Sequence, residues 1–371
     1  MLAFRAFRLT LGLMAAAFIA SCGDGGGGSS GSATPPPVVV TPPAAGNLLL
    51  TMPPSTYLAS SQEAKVFAEL NDARIKGGFG ALRQSVNLDL AAKAHATYFF
   101  KKWYTVPYGA FIDGTATPLL DSNGNRVTYY NASTGYGETD ASLGWLKGHL
   151  EYAGDVGFKG VYPWDRAAAA GYGYSAANTV SEVIGFQNRS IQAGCVDGLL
   201  ATVYHRADAL KPGYSDVGIG VDDVSQPLGV NFPCVVNAAV GAAAPVVPDG
   251  WKGVYPGDKQ TNVQTFFTEV PDPWPAFKNK GIAVSYFITE GHSLTVTSFT
   301  LKGPDGVALE TALITKASDL NGYIASDNQA HLVPNGFLKA NTTYTASFSG
   351  IDKNGATQTA TALTWTFTTR P

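Results

Sequence analysis

Apolar residues recur at helical spacing in the first part of the chain. The pattern predicts a helix that begins after Ser61, with Glu63 in its first turn, and ends at Gly77-Gly78. A second helix is predicted from about Asn87 to Lys102. Further helical patterns cover residues 142–152, 165–170 and 195–210.

Short β-favouring runs alternate with these helical segments. Strands are predicted at residues 179–185, 217–221 and 235–240, and turn signals within residues 104–139 predict a long loop or hairpin insertion. The order lacks a βαβ rhythm and a glycine-rich phosphate loop. The pattern therefore favours an α+β fold with helices packed around a central sheet.

From about Pro245 onward, apolar and polar residues alternate. Turn signals such as Gly303-Pro304-Asp305-Gly306 separate the alternating runs. Several short strands at this spacing are typical of an all-β sandwich. The predicted strands are residues 261–269, 282–288, 294–301, 344–349 and 363–368.

The N-terminus has the organisation of an export signal. Arg5 and Arg8 precede an apolar run that is too short to cross a bilayer, and the run ends at Ile19-Ala20-Ser21-Cys22. This sequence resembles a bacterial lipobox, in which Cys22 would be lipidated after cleavage of residues 1–21. Ordinary signal cleavage with an incidental cysteine is the alternative. Since Asp24 is not directly after Cys22, the outer membrane or the cell surface is favoured over the inner membrane.

Residues 22–54 are rich in Gly and Ser, then in Pro, and predict a tether between the membrane and the rest of the chain. Beyond the tether, residues 55–244 and 245–371 are predicted as two domains. Cleavage of the leader removes Arg5 and Arg8, so the formal charge of −3 becomes −5. With no basic stripe, a nucleic-acid partner is not expected.

Cys195 and Cys234 are the cysteines that remain once Cys22 is assigned to lipid. In an oxidising compartment two such cysteines usually pair, so we expect a disulfide between them. Two free buried thiols are the alternative.

Seven short motifs follow one another along residues 55–244. They are Asn71-Asp72-Ala73-Arg74 with His95, His149-Leu150-Glu151, Gly157-Phe158-Lys159-Gly160, Asp165-Arg166, Val180-Ser181-Glu182, Tyr204-His205-Arg206 and Val217-Gly218-Ile219-Gly220. In this order they resemble the CAP superfamily, which is the SCP domain of cysteine-rich secretory, antigen and pathogenesis-related proteins in its bacterial form. The resemblance implies a three-layer α/β/α sandwich with an open cleft over residues 55–244.

The same resemblance implies a cleft formed by His149, Glu182 and His205. Two imidazoles and a carboxylate suit Zn²⁺ or another divalent cation, and the same groups suit general acid–base chemistry. Val183 stands where the family has an asparagine, and a second glutamate is not obvious before His205. Glu151 is the main candidate to replace it, with Asp197 as a further one.

Other interpretations compete for these residues. A buried Glu182 needs a partner, and Arg166 or Arg206 as that partner would make it a structural ion-pair residue. His95 lies on an apolar helix face and is expected to be a satisfied core histidine. His292 and His331 are expected at the surface of the second domain.

Residues 341–344 and 364–369 resemble bacterial Ig-like modules, with a spacer or adhesive role. The sequence therefore predicts a lipoprotein, anchored in the cell envelope, whose cleft binds a metal ion, a small apolar ligand or an envelope component. The alternative is a hydrolase of the peptidase type that uses His149, Glu182 and His205. Within residues 55–244, a G-x-S-x-G nucleophile motif is absent from the sequence.

Overall fold

The computed structural model describes residues 46–103, 148–151, 153, 157–174, 179–188, 194–222, 231–269 and 271–371. The leader, Cys22, the tether before residue 46 and the predicted insertion at 104–139 lie outside these ranges. Residues 142–147 and 152 of the helix predicted at 142–152, and residues 154–156 after it, also lie outside these ranges. Within the described ranges, no helix is long and apolar enough to cross a membrane.

The described chain has mixed α and β content with three mostly antiparallel sheets. We call residues 55–244 the first part of the chain and residues 245–371 the second part. The helices all lie in the first part. They are α1 (Gln62–Gly77), α2 (Val86–Trp103), α3 (Pro163–Ala169), α4 (Cys195–Ala201) and α5 (Val203–Ala209).

The ends of α1 follow the predicted signals. Ser61 is the N-cap, and its hydroxyl accepts a hydrogen bond from the Ala64 N–H at 3.1 Å. Gly78 ends the helix in the left-handed conformation (φ 84°), where the absence of a Cβ removes strain.

The helix predicted at 195–210 is in fact two helices. Thr202 is extended (φ −82°, ψ 161°) and separates α4 from α5. Its hydroxyl donates to the Leu199 carbonyl, and the first N–H groups of α5 donate to Glu269, which is distant in sequence. The break therefore depends on a tertiary contact that local periodicity does not show.

The first sheet has the order β1-β3-β4-β2, with β1 parallel to β3 and the other pairs antiparallel. Helices cover both of its faces. On one face, Gly218 and Gly220 let the backbone of α2 come directly onto β3. On the other, Gly185 faces Cys195 and Leu199 of α4. The strands are β1 (Arg83–Gln84), β2 (Val180–Asn188), β3 (Asp216–Val221) and β4 (Asn231–Ala239).

The remaining strands form two four-stranded sheets, β5-β7-β10-β9 and β6-β12-β11-β8. Tyr286 of one sheet stacks on Phe348 of the other, with ring centroids 3.8 Å apart, so the sheets pack face to face. The strands are β5 (Lys252–Tyr255), β6 (Gln260–Val263), β7 (Val284–Ile288), β8 (Ser293–Lys302), β9 (Thr311–Ile314), β10 (Gln329–Pro334), β11 (Thr343–Asn354) and β12 (Thr357–Thr369).

Sequence periodicity located five of these eight strands and missed β5, β9 and β10. β10 is buried at every position, so its two faces do not alternate in polarity. The strand predicted at 261–269 ends at Val263. Glu269, at the end of the predicted range, instead accepts a hydrogen bond from the first residue of α5.

The disulfide between Cys195 and Cys234 is confirmed. It joins α4 to β4, with the two Cα atoms 6.1 Å apart, and both residues are fully buried. The bond therefore fixes a helix to the central sheet beside Gly185.

Candidate functional site

Glu182 projects from β2 toward the face of the sheet that α2 covers. In the sheet register it lies opposite Asn237, which in turn lies opposite Gly218, the glycine that contacts α2. Side chains directly opposite on neighbouring strands share a face. Its carboxylate is fully buried, so it requires a compensating charge.

Arg166 of α3 provides that charge. Its Nη2 lies 2.9 and 2.8 Å from the two carboxylate oxygens of Glu182, and the side chains of both residues are fully buried. Nη1 donates to the His149 carbonyl at 3.1 Å. Of the two arginines proposed from the sequence as partners of Glu182, Arg166 is the one the structure pairs with it.

His95 of α2 lies beside this pair. Its Nδ1 is 3.0 Å from Glu151 Oε1, and its Nε2 is 2.9 Å from the Gly148 carbonyl oxygen. Glu151 also accepts a hydrogen bond from the Lys159 N–H at 2.6 Å. His95 is thus a buried, hydrogen-bonded histidine, as expected, but its partners belong to the predicted site.

Four buried side chains meet at this point. Both ring nitrogens of His95 face oxygen atoms. Glu151 Oε1 lies 3.0 Å from His95 Nδ1 and 3.7 Å from Arg166 Nε, so it contacts both residues. We call His95, Glu151, Arg166, Glu182 and His149 the buried ion cluster.

His149 connects the cluster to the surface. Its Nδ1 lies 3.1 Å from Glu182 Oε1, and its side chain is 14% exposed. The structure therefore brings together His149, Glu182 and Glu151, three of the residues that the sequence analysis named.

The net electrostatic effect on Glu182 favours its ionised form. Burial by itself raises the pKa of this carboxyl, but Arg166, then His95 and His149, lower it more. The pKa of Glu182 lies well below its usual range. Its two oxygens are therefore occupied acceptors over the whole physiological pH range.

His205 lies elsewhere. It is on α5, where its Nδ1 is 3.0 Å from Thr202 Oγ1 and 3.7 Å from Glu269 Oε1. Helix α5 packs on the sheet face that Ser181 occupies, since Ser181 donates to Asp208 of α5 at 2.7 Å. Ser181 and Glu182 are consecutive in β2 and point to opposite faces. The sheet thus separates the side chains of Glu182 and His205.

The geometry of these side chains also bears on metal binding. Among the residues that the structure describes, no group of three or more His, Cys, Asp and Glu side chains is arranged to hold a metal ion. In the buried ion cluster, Arg166 occupies the side of Glu182 that a cation would need. The Zn²⁺ site expected from the sequence remains a prediction.

Arg166 and Glu269 are the two residues whose importance the sequence showed least. Arg166 was named in a motif of the family resemblance and as one of two partners for Glu182, without a role in the cleft. Glu269 gave no local signal, because it reaches α5 from 65 residues away. The partner requirement of a buried carboxylate is the signal that pointed to Arg166.

A scan against protein-family models finds no match for this chain, and a search of the curated proteins finds none either. The resemblance to the CAP superfamily therefore remains a prediction from the residue pattern.

Proposed function

We propose that the chain is a CAP-like protein of the cell envelope that acts by binding rather than by hydrolysis. In this proposal Cys22 carries the lipid anchor, residues 55–244 form the CAP-like α/β/α domain, and residues 245–371 form an Ig-like sandwich. Helices on both faces of the first sheet and the two packed sheets of the second part support this architecture.

The observation that carries the proposal is the state of Glu182. A hydrolase of the expected type needs this carboxylate as a base or as a metal ligand. Instead, Arg166 contacts both oxygens of Glu182. The pKa of Glu182 lies well below its usual range, so this carboxylate does not take up a proton at neutral pH. Glu182 is better suited to holding β2, α3 and the segment around His149 together.

An envelope polymer is the ligand class that we propose. The chain has a net negative charge and no basic stripe, so a polyanion is disfavoured. Neutral sugars and peptide amides, as in peptidoglycan, require hydrogen-bonding and aromatic groups instead of a charged surface.

The test compares the wild type with Glu182→Gln in two assays, co-sedimentation with purified peptidoglycan and release of soluble fragments or cleaved peptides. We expect the wild type to sediment with the polymer and to release nothing. Glu182→Gln removes the carboxylate that contacts Arg166 Nη2, so it should lower the free energy of unfolding by about 3–5 kcal/mol.

A control for stability is Lys65→Gln, which removes only an exposed ion pair with Glu69. Its unfolding free energy should change by less than about 1 kcal/mol. Turnover by the wild type that is lost in a folded Glu182→Gln protein would establish the hydrolase instead. Failure of the wild type to sediment would refute the proposed ligand.

A further inference from the structure

Thr202 controls the position of a proton on His205. The Thr202 hydroxyl donates its own proton to the Leu199 carbonyl at 2.8 Å. Its oxygen, 3.0 Å from His205 Nδ1, is then an acceptor, so Nδ1 is the donor of that hydrogen bond. A neutral imidazole can carry its proton on either ring nitrogen. The hydrogen bond to Thr202 favours the tautomer with the proton on Nδ1.

Glu269 reinforces this choice from the second part of the chain. Its side chain is 1% exposed, and its carboxylate accepts the N–H groups of Val203 and Tyr204 at 2.7 and 2.8 Å. One of its oxygens lies 3.7 Å from His205 Nδ1. A negative charge at that position favours a proton on Nδ1 over one on Nε2.

A ring protonated on Nδ1 carries its lone pair on Nε2. The His205 side chain is 26% exposed, against 14% for His149, 9% for His292 and none for His95 and His331. His205 is therefore the most exposed of the five histidines in the sequence. We infer that Thr202 and Glu269 fix His205 so that Nε2 is a hydrogen-bond acceptor for an O–H or N–H donor of the ligand.

The chemistry of the surroundings favours a neutral donor over a cation. Both oxygens of Glu269 already accept backbone N–H groups, and the described residues offer no set of three ligands around His205. Hydroxyl and amide groups of a glycan or peptide need only one acceptor. The inference rests on the proposed function, since it names the group that contacts the envelope polymer.

The tautomer is measured on the full chain with ¹⁵N-labelled histidine, by long-range ¹H–¹⁵N correlation spectra near pH 8. We expect the pattern of an Nδ1–H ring for His205, assigned by its loss in His205→Ala. His331 is the internal reference. Its Nδ1 accepts from Ser285 and its Nε2 faces Gln329 Oε1, so it should show the opposite tautomer.

Variants separate positioning from folding. Thr202→Val removes the acceptor and should shift His205 toward the Nε2–H tautomer, whereas Thr202→Ser should keep the wild-type pattern. Glu269→Gln should move the ring in the same direction as Thr202→Val. Unchanged His331 signals in each variant show that the fold persists. An Nε2–H pattern for His205 in the wild type would overturn the inference.

Soluble peptidoglycan fragments then probe the acceptor. We expect the Nε2 resonance of His205 to move on addition of the fragments while that of His331 stays in place. Binding without any movement at His205 would refute the acceptor role and leave the proposed function standing. No binding to either the fragments or the polymer would refute the proposed function and the acceptor role together, while the tautomer would remain as measured.

Discussion

Glu182 shows how one buried carboxylate supports two opposite interpretations. The resemblance to the CAP superfamily predicts that it is a ligand, and its burial in an apolar strand requires a partner. Removing an ion from water costs several kcal/mol, so the identity of the partner decides the role. The structure supplies a guanidinium and two imidazoles, and the carboxylate becomes the anion that contacts all three in the buried ion cluster.

The prediction that His331 lies at the surface was wrong. It is fully buried between the two parts of the chain, where Ser285 contacts both its ring and Arg206. His292 is also mostly covered, with its Nδ1 2.7 Å from Asp352. His331 lies between Ala330 and Leu332 in β10, a strand that is buried at every position and was missed by the sequence pattern.

His331 should make the protein less stable in acid. Burial, followed by repulsion from Arg206, lowers its pKa from 6.5 to about 3. Because the folded-state value is the lower one, the unfolded chain binds more protons between these values. The stability that neutral His331 contributes is complete above pH 6.5 and is lost as the pH falls toward 3.

His331→Gln removes this titration. Relative to the wild type, the variant should gain about 1.4 kcal/mol in unfolding free energy for each pH unit between 6.5 and about 3. The measurement is urea denaturation at several pH values, and the difference above pH 7 provides the baseline. A constant difference across the whole range would contradict the burial of a neutral ring.

At the scale of elements, α2 illustrates a contact that depends on the absence of side chains. A Cβ on Gly218 or Gly220 would overlap the backbone of α2, so β3 and α2 pack at backbone distance. The sequence showed the alternation of Val217, Ile219 and Val221 with these glycines, and a strand was predicted correctly. Which helix covers the glycine face was decided by the fold.

Gly220→Ala should destabilise the protein, because Ala92 and Lys93 belong to the helix backbone and cannot move aside separately. Overpacking of this kind costs about 1–3 kcal/mol. Gly198→Ala is the matched control: Gly198 lies in α4 with nothing within 4 Å of the added Cβ. That change should stabilise by about 0.5–1 kcal/mol. Equal effects of the two changes in chemical denaturation would refute the close packing of α2.

At the scale of the whole molecule, one hydrophobic core runs through both parts of the chain. The same cluster of buried residues includes Leu70 and Leu200 from the first part and Tyr286 and Trp365 from the second. Polar contacts add to it. Arg206 donates to the Ala283 carbonyl at 2.6 Å and lies 4.5 Å from the centroid of the Tyr255 ring.

We therefore expect the two parts to unfold together. Arg206→Met should lower the free energy of unfolding by about 3–5 kcal/mol, since it leaves buried acceptors in both parts without their donor. In hydrogen exchange, the slowest amides of β4 and β11 should lose protection equally. Lys316→Met, which removes an exposed ion pair with Asp327, should change neither. Loss of protection in β11 alone would show that the two parts unfold separately.

The sequence by itself determined the local features of this protein. The caps of α1, the course of α2, several strands, the disulfide and the need of Glu182 for a partner all follow from residues close in sequence or from simple counting. Such signals suffice because helix capping, side-chain alternation and thiol pairing have short-range or compositional causes.

Only the tertiary structure decided which charged groups meet. It joined Glu182 to Arg166 and His95, and it placed Glu269 at the start of α5 beside His205. These pairings depend on chain segments that burial of the shared core brings together. The energy of a buried charge depends on its final neighbours, so spacing along the chain leaves its role open.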